Sequence, residues 1–452
     1  MAALEEFMAK LNGYVWGVPL IVLLCGTHLF LTVRLGFIQR FTWRGIKLSV
    51  APDPGAAGEV SQFGALTTAL ASTIGAGNIV GVASAVAAGG PGAVFWMWLT
   101  GVFGIATKYA EAVLSIRYRV QRESGEYVGG PMYVLERGLK QKWLSVMFCV
   151  FAVCAGLGMA NMVQSNVIVS MTQAGLPGWS PGTIAVVMGV VLAILVGAVI
   201  IGGIHSISRT STVLVPAMAG AYVVACVIVL CFRIDRIPDT LVLIFRSAFE
   251  GQAAVGGFLG ASVAAAMRYG VARGLFSNES GLGSAPIAAA AARTSNPVRQ
   301  GIVSATGTFW DTVVVCAFTG LVVVSSGHWQ EGLPAAALVR AAFADLGPWA
   351  VWALNLSLAL FVFTSIYGWA YYSEKAAEYL WGSGVVRPFR WIWCGFVFIG
   401  AVVSSRLVWD FADIANGLMA IPNLIALLAL HRVVVEETNK HRSVLTGSGA
   451  HG

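Results

Sequence analysis

Charged side chains are scarce along this chain, since Asp, Glu, Lys and Arg together supply 11% of its 452 residues. A soluble globular domain carries about 25%. Hydrophobic residues supply 57% of the chain, and the mean hydropathy is +0.78. This composition excludes an ordinary soluble domain and is typical of a chain solvated by lipid. We therefore predict an all-α integral membrane protein.

The sequence also lacks the motifs of metal sites, ATP sites and hydrolytic enzymes. It has no CxxC, no HExxH and no Walker A sequence, and of six histidines only His28 lies well inside a predicted span, with His431 at the edge of the last one. We therefore expect that the chain is not an enzyme and binds neither ATP nor an organic cofactor. The net charge of +7 is explained by basic loops and does not indicate nucleic acid binding. We interpret the seven cysteines, all in apolar runs, as small core residues: Cys25, Cys149, Cys154, Cys226, Cys231, Cys316 and Cys394.

Eleven apolar stretches are long enough to cross a bilayer, which takes about 20 apolar residues. They are residues 13–35, 61–89, 92–117, 143–173, 182–204, 210–232, 252–293, 297–326, 346–380, 386–406 and 410–431. We divide the chain into an N-terminal span with an interfacial amphipathic segment (1–60), a first five-helix repeat (61–234), a second five-helix repeat (250–432) and a cytoplasmic tail (433–452).

Basic residues define the predicted orientation. Lys and Arg concentrate in the loops 34–47, 117–142, 293–299 and 375–390 and in the tail after Arg432. Because basic loops stay on the cytoplasmic side, we expect the N-terminus outside and the C-terminus inside. The first apolar run lacks a convincing cleavage site and reads as a retained helix. We therefore predict a multi-pass protein of the cytoplasmic membrane.

Two of the predicted spans are interrupted by glycine-rich polar stretches, STIGAGNIVG (72–81) and RGLFSNESGLGSAPIA (273–288). They begin two blocks of five helices that enter the membrane from opposite sides. Broken helices at corresponding positions of two such halves indicate an inverted-repeat secondary transporter. The predicted fold is a 5+5 inverted-repeat core with two discontinuous helices and one extra N-terminal helix.

Glycine explains why a span can break at Gly75 and Gly77. An unwound backbone exposes amide and carbonyl groups, which lipid penalises, so such a break is tolerable only around a polar cavity. Helix packing through the GxxxG pair Gly77 and Gly81 is the alternative, although Asn78, at the centre of the predicted span, needs partners that packing alone does not supply. For the second break, the alternative is a cytoplasmic loop between two short helices.

Several longer motifs resemble the alanine or glycine:cation symporter family along residues 13–432. They are STIGAGNIVGVASAVAAGGPGAVFWMW (72–98), GMANMVQSN (158–166), RGLFSNESGLGSAPIAAAAA (273–292), NPVRQG (296–301) with GTFWDT (307–312), and GWAYYSEKAAEYL (368–380). The resemblance implies uptake of small neutral amino acids, alanine or glycine, with Na⁺ or in some members H⁺ as the coupling ion. It also implies the fold of the amino acid, polyamine and organocation transporters.

The resemblance implies a substrate site between the two breaks and two further core helices. Backbone amides near Gly75 and the Gln164 side chain are expected to bind the substrate carboxylate, and carbonyls around Phe276 with the Ser365 hydroxyl its ammonium. Glu279 either binds the ammonium directly or caps amides of the second break, the role that we favour. The implied substrate residues are Thr73, Gly75, Gly77, Asn78, Gln164, Phe276, Ser277, Ser365 and Trp369.

The family also implies a Na⁺ site of oxygen ligands, formed by the carbonyls of Ala71 and Ile74 opposite Thr364 and Ser365. Asp311 is a second cation candidate, or else the partner of an intramembrane arginine, Arg268 or Arg273.

Lys108 and Glu111 are three residues apart and should form a structural ion pair. The remaining expectation concerns the transported substrate. Ala76, Ser280 and Ser365 depart from the commonest family pattern and leave the side-chain preference open. The serious alternative is a transporter of the same fold for another amino acid such as glutamine. A channel is less compatible with two unequal polar breaks.

Overall fold

The protein is almost entirely helical. The computed structural model describes residues 2–53, 56–123, 125–175, 178–251, 260–403 and 406–447. The first half of the chain contains eleven α-helices: α1 Ala2–Val15, α2 Val18–Arg34, α3 Thr42–Val50, α4 Gln62–Thr73, α5 Val82–Gly89, α6 Gly92–Tyr118, α7 Pro131–Tyr133, α8 Lys142–Ala155, α9 Gln164–Gly175, α10 Pro181–Ile200 and α11 Gly203–Cys231.

Eleven more helices follow in the second half: α12 Ile237–Glu250, α13 Val263–Asn278, α14 Ala285–Ala290, α15 Pro297–Thr308, α16 Ala317–Ser326, α17 Ala335–Ala344, α18 Pro348–Trp381, α19 Val386–Val402, α20 Arg406–Ala429, α21 His431–Lys440 and α22 Arg442–Thr446. Four wider π-helical turns interrupt longer helices, at Gly77–Gly81, Val134–Gly138, Gly156–Val163 and Phe309–Cys316. The short strands β1 Val120–Gln121 and β2 Tyr127–Val128 pair antiparallel.

Eight helices in the described part of the chain are long and apolar enough to cross a membrane, and the bent pair α4 and α5 makes a ninth. These nine match nine of the eleven predicted spans. Of the other two, 92–117 is the single helix α6, which carries Lys108 and Glu111. The span 252–293 contains the shorter helices α13 and α14, and its first residues, 252–259, lie outside the described residues. The count of eleven and the division into two repeats stay predictions.

Side-chain caps define where several helices of the core begin. The Ser61 side chain accepts the Gly64 N–H at the start of α4, and Ser262 accepts the Ala265 N–H at the start of α13. Asn296 accepts the N–H groups of Val298 and Arg299 at the start of α15. Each cap satisfies an amide that a helix terminus leaves without an intrahelical partner.

The helix α6 lies at the centre of the packing, between α13 and α15, and it also contacts α2 and α12. The first broken segment packs through α4 against α11 and α18, while α20 packs against α8. Large side chains such as Trp369, Trp393 and Tyr222 are fully buried. Both interrupted segments therefore lie inside the helical bundle.

The strand pair forms a hairpin that is tied to the far end of α18. Arg122 pairs with Glu378, and Lys375 pairs with both Glu126 and Glu378. Lys375 and Glu378 are 7% and 3% exposed, so these ion pairs are largely shielded from water. By the predicted topology this ionic network lies at the cytoplasmic end of the bundle.

The predicted amphipathic segment 37–48 is helical. A 3₁₀ turn, Ile38–Phe41, leads into α3, whose first turn contains Trp43. Phe37 and Trp43 are 58% and 67% exposed, whereas Ile38 and Leu48 are buried. One face thus packs on the bundle while aromatic side chains point outward, as expected of a segment at a membrane interface.

Candidate functional site

The first break is a true interruption of the helix. Helix α4 ends at Thr73, Ile74 is extended with φ −75° and ψ 96°, and the chain resumes as the turn Gly77–Gly81 at 58° to α4. The Asn78 carbonyl oxygen accepts the Gly75 N–H at 2.9 Å, which gives one of the freed amides a partner. This confirms that the span breaks where the sequence placed its glycines.

Close approach of other helices explains the glycines themselves. A Cβ at position 75 would lie 2.5 Å from the Ser365 Oγ, and one at position 77 would lie 3.3 Å from Cδ1 of Phe276. A Cβ at Gly81 would meet nothing within 4 Å. The alternative of GxxxG packing therefore has no contact at its second glycine, and Gly75 and Gly77 instead face residues of α18 and α13.

The second break lies between Asn278, where α13 ends, and Ala285, where α14 begins. Glu279 has a left-handed conformation at φ 55°, and Gly281 and Gly283 follow at φ 92° and 86°. Positive φ costs little for glycine, which explains both glycines in this turn. The buried break contradicts the alternative of a solvated cytoplasmic loop.

Glu111 of α6 caps this second break. Its Oε1 accepts the N–H groups of Gly281 and Gly283, both at 3.1 Å, and the side-chain amide of Asn423 at 2.7 Å. The predicted ion pair with Lys108 is not a direct contact, because the Lys108 ammonium has no hydrogen-bond partner within the described residues, although it still interacts electrostatically with the Glu111 carboxylate. Freed amides attract the carboxylate instead. The sequence spacing suggested only Lys108 as a partner of Glu111, and no sequence pattern identified Asn423 as one.

Asp311 joins the two broken segments. Its carboxylate accepts hydrogen bonds from the Asn78 amide at 2.8 Å, from the Ser277 hydroxyl at 2.7 Å and from the Thr312 hydroxyl at 2.8 Å. It forms no ion pair with Arg268 or Arg273 among the described residues. Asn78 and Ser277, both predicted to bind substrate, thus hold Asp311 between the breaks. Their substrate role stays a prediction.

The remaining predicted substrate residues meet around one small cavity of about 20 Å³. A site needs about 10–15 Å³ to hold one water molecule, so this cavity has room for a single water or ion. An amino acid can enter only if a wall moves. The lining consists of Ser72, Thr73, Gly75, Gly77, Met159, Ala160, Gln164, Phe276, Glu279, Ser365 and Trp369.

Polar groups in this lining have the character of a binding site. Gln164 is 7% exposed, and its Oε1 has no hydrogen-bond partner in the part of the chain that the structure describes. A buried polar atom without a partner is costly and is usually reserved for a ligand or water. Glu279 accepts the Trp369 indole N–H at 2.8 Å and the Ser284 hydroxyl. Its carboxylate belongs to the cavity wall, so the capping role that we favoured falls instead to Glu111.

Two of the predicted Na⁺ ligands are brought together. The Ser365 hydroxyl lies 3.3 Å from the Ile74 carbonyl and 3.0 Å from the Phe361 carbonyl. The Thr364 hydroxyl instead donates to the Phe361 carbonyl at 2.9 Å, and Ala71 is fully buried. Ser365 thus joins the end of α4 to α18 beside the cavity, while the role of Thr364 and Ala71 stays a prediction.

A larger vestibule of about 700 Å³ lies next to the cavity. Four residues line both spaces: Gly77, Met159, Gln164 and Phe276. The vestibule also contains Arg273, Arg340 and Asp413, and by the predicted topology it faces the extracellular side. Sequence reasoning missed this space, because its walls come from helices far apart in the chain.

Comparisons with known proteins agree with this arrangement. The sequence profile of the sodium:alanine symporter family matches residues 1–448. The sodium/alanine symporter AgcS of Methanococcus maripaludis is 46% identical over 444 residues, covering 96% of each chain. The probable sodium/glutamine symporter GlnT of Bacillus subtilis is 36% identical over 436 residues, covering 95% of this chain and 89% of the relative.

Two solved structures share the fold at low sequence identity. MhsT in complex with L-phenylalanine has a TM-score of 0.60 at 14% identity, covering 85% of this chain and 93% of its own. A Na⁺-coupled sialic acid symporter in a substrate-bound outward-open state has a TM-score of 0.51 at 12% identity, covering 92% and 83%. The chain therefore shares its helical architecture with these two proteins.

Proposed function

Because the chain belongs to the sodium:alanine symporter family, we propose that it imports small neutral amino acids, alanine and glycine, with Na⁺ as the coupling ion. The observation that carries the proposal is the small cavity between the two broken segments, lined by the unpartnered Gln164 oxygen and the Glu279 carboxylate. Broken helices around a polar site are the arrangement by which secondary transporters bind substrates and ions.

Gln164 and the first break supply groups for the substrate carboxylate. The Gly75 N–H is already bonded to Asn78, so the carboxylate is left with amides that follow Gly75 in the break. Gln164, at the start of α9, lines the same cavity, where its Nε2–H groups can donate to the carboxylate and its Oε1 is left to accept from the ammonium. A carboxylate held by two or three N–H groups is stabilised without a basic side chain.

Glu279 supplies the charge that an ammonium group requires. It is 2% exposed, and its two described partners are the neutral donors Trp369 and Ser284. A buried carboxylate is costly unless it is paired. The buried Lys108 ammonium interacts with Glu279 electrostatically but donates it no hydrogen bond among the described residues, so an ammonium brought into the cavity gains a direct contact with this carboxylate. We propose that Glu279 receives the substrate ammonium, together with carbonyls around Phe276.

The size of the cavity favours small side chains. Phe276 and Trp369 both line it, and Trp369 is held in place by its hydrogen bond to Glu279. Once another part of the wall has moved to admit an amino acid, the fixed Trp369 side excludes larger side chains by overlap, while each methylene that fits adds only about 1–3 kcal/mol. The name of the glutamine relative shows that the family includes other cargo, so glutamine is the competing substrate to test.

Na⁺ is proposed to bind where Ser365 faces the Ile74 carbonyl. Carbonyl and hydroxyl oxygens suit a hard cation. A cation there fixes the end of α4 against α18, next to Gly75 in the cavity wall. The Ala71 carbonyl and the Thr364 hydroxyl would complete the set of oxygen ligands after the Thr364 hydroxyl rotates toward the ion. Ion and substrate would then stabilise the same arrangement of the break, which is the physical basis of coupling.

Alternating access follows from the two sides of the cavity. Phe276 lines both the vestibule and the cavity, whereas the ionic network of Arg122, Glu126, Lys375 and Glu378 lies toward the other end of α18. We propose that this network closes the cytoplasmic side of the cavity. Release to the other side requires these pairs to separate. We propose a cell membrane location with the N-terminus outside, so that the vestibule receives extracellular substrate.

Uptake into liposomes tests the proposal. Labelled alanine would be supplied with an inward Na⁺ gradient, with no gradient and with a proton gradient, and glycine or glutamine would be added in excess. We expect saturable uptake that requires Na⁺ and that glycine blocks. Uptake of glutamine but not alanine would overturn the proposed cargo, and uptake driven by protons alone would overturn the proposed ion.

Matched variants connect uptake to the cavity. Gln164→Ala should raise the KM for alanine about tenfold or more, since a hydrogen bond to a charged group contributes about 1.5–3 kcal/mol. Thr172→Ala, on the same helix with its hydroxyl bonded to the Ile168 carbonyl, should leave KM unchanged. Equal effects of the two substitutions would contradict the assignment of Gln164.

A further inference from the structure

Lys108 of α6 is buried inside the bundle without a direct partner. The residue is 3% exposed, and its Nζ donates no hydrogen bond within the described part of the chain. Burying an ammonium group is costly unless the group is paired. An ionisable side chain at membrane depth usually has a function, and none of the steps described so far uses Lys108.

The space beside Lys108 adjoins the substrate cavity. Helix α6 packs against α13, which ends at Asn278, the residue before Glu279. Lys108, Asn278 and Thr73 line a small cavity of about 10 Å³, and Thr73 also lines the substrate cavity that contains Glu279. This free volume is about that of one water molecule. A group of that size, such as an ammonium, can therefore shift its position there.

Three buried carboxylates lie close enough to Lys108 to interact with it electrostatically: Glu111, Glu279 and Asp311. Glu111 and Asp311 each accept three hydrogen bonds among the described residues. Glu279 accepts only two, and it is the one carboxylate of the three that lines the substrate cavity. Glu279 therefore has the greatest need of a cation.

The substrate can supply that cation during only half of a transport cycle. In the loaded carrier the substrate ammonium is the partner of Glu279. After release the carrier must return empty, and a buried carboxylate without a cation opposes this step. Because the coupling ion is released together with the substrate, the cation for the return step has to come from the protein.

We propose that Lys108 is this cation. Its ammonium pairs with Glu279 in the empty carrier, and the ammonium of an arriving amino acid displaces it toward the Glu111 Oε2, which has no hydrogen-bond partner among the described residues. Glu111 lies three residues away on the same helix, within reach of a flexible lysine side chain. The inference rests on the proposed function, since it assigns Lys108 to the return step of the same symporter.

Net uptake and exchange separate the return step from the loaded step. Net uptake requires the carrier to return empty, whereas exchange of labelled for unlabelled alanine uses the loaded carrier in both directions. Both rates would be measured in one preparation of liposomes that contain the full-length protein. Lys108→Met should lower net uptake about tenfold or more relative to exchange, because Glu279 is left unpaired on the return. The ratio of the two rates does not depend on how much of the protein has folded.

Thr100→Val is the matched control, since Thr100 lies on the same helix, is 4% exposed and bonds the Trp96 carbonyl through its hydroxyl. It should keep the wild-type ratio. The double variant Lys108→Met with Glu279→Gln removes both charges, so it leaves this pair without an unpaired charge even if the single variant fails to fold. It should bind alanine more weakly but show the wild-type ratio at saturating alanine.

Three results would overturn the role of Lys108. They are a wild-type ratio in Lys108→Met, loss of exchange together with net uptake in folded Lys108→Met, and a low ratio in the double variant. A wild-type protein that neither takes up nor exchanges alanine would refute the proposed function separately.

Discussion

The contact between Gly75 and Ser365 gives the sharpest test of the site. A methyl group at position 75 would lie 2.5 Å from the Ser365 Oγ, and the next atoms are the Ser365 Cβ at 3.5 Å and the Gln164 Nε2 at 3.8 Å. Ordinary contact begins at 3.4 Å, so the hydroxyl oxygen alone is in conflict. Overpacking of this kind costs about 1–3 kcal/mol.

We therefore expect Gly75→Ala to lower the thermal stability and to reduce Na⁺-dependent alanine uptake at least tenfold. Ser365→Ala alone should weaken Na⁺ dependence with little loss of stability. The double variant should be as stable as Ser365→Ala, because the conflicting oxygen is gone. The cycle should give a coupling free energy of unfolding of about 1–3 kcal/mol, within the range measured for residues in contact.

The assay is thermal unfolding of the four proteins in one detergent, with uptake in liposomes measured in parallel. A strictly additive double variant would refute the close approach of the first break to α18. Recovered stability with recovered uptake would show that Ser365 is dispensable as an ion ligand. Recovered stability without recovered uptake would support both the close approach of the first break to α18 and the role of Ser365 as an ion ligand.

The remaining predictions concern the ionic network. Lys375→Met should destabilise the protein by less than the roughly 3–5 kcal/mol of a fully broken buried pair, because Arg122 still pairs with Glu378 after the ammonium is lost, and adding Glu378→Gln should recover part of the loss. Thermal unfolding measures both, and equal stabilities of the single and double variants would contradict the pairing. Burial, with the nearby Glu126 charge second, raises the pKa of Glu59, whose Oε1 accepts the Tyr127 N–H at 3.1 Å. Because the pKa of Glu59 is raised in the folded protein, ionisation of this carboxyl lowers the stability as the pH rises. Replacing it in Glu59→Gln should therefore raise the Tm at pH 8. The gain should vanish near pH 4, where the free carboxyl is also largely protonated. A gain that is independent of pH would show that ionisation is not the cause.

The sequence predicted the two breaks because glycine and polar residues inside an apolar run have a local physical cause. Gly75 lies in the break that follows α4, and Gly281 and Gly283 adopt the positive φ that a turn between α13 and α14 requires. Seven of the nine predicted substrate residues line the cavity, from Thr73 to Trp369. Family motifs implied that these residues belong together, since spacing alone does not bring distant helices together, and their role in binding substrate stays a prediction.

Contacts between distant segments account for what sequence reasoning missed. Lys108 and Glu111 are one turn apart, so a local ion pair was the natural expectation, yet Glu111 is bound by amides about 170 residues later. Glu279 looked like a cap, and its place in the cavity wall depends on Trp369 of α18. The vestibule arginines carried no signal either, because an arginine in a sequence does not show whether a carboxylate faces it.

The Glu111 cap has a consequence for how this protein can change over generations. One carboxylate oxygen holds the amides of Gly281 and Gly283 and the side chain of Asn423, so three segments depend on a single atom. A lineage that replaced Glu111 would leave two buried amides unpaired, and no substitution at the glycines themselves could supply the missing acceptor. Replacement should therefore be accompanied by a new acceptor contributed from α20 at position 423, and pairs of changes at 111 and 423 should occur together or not at all.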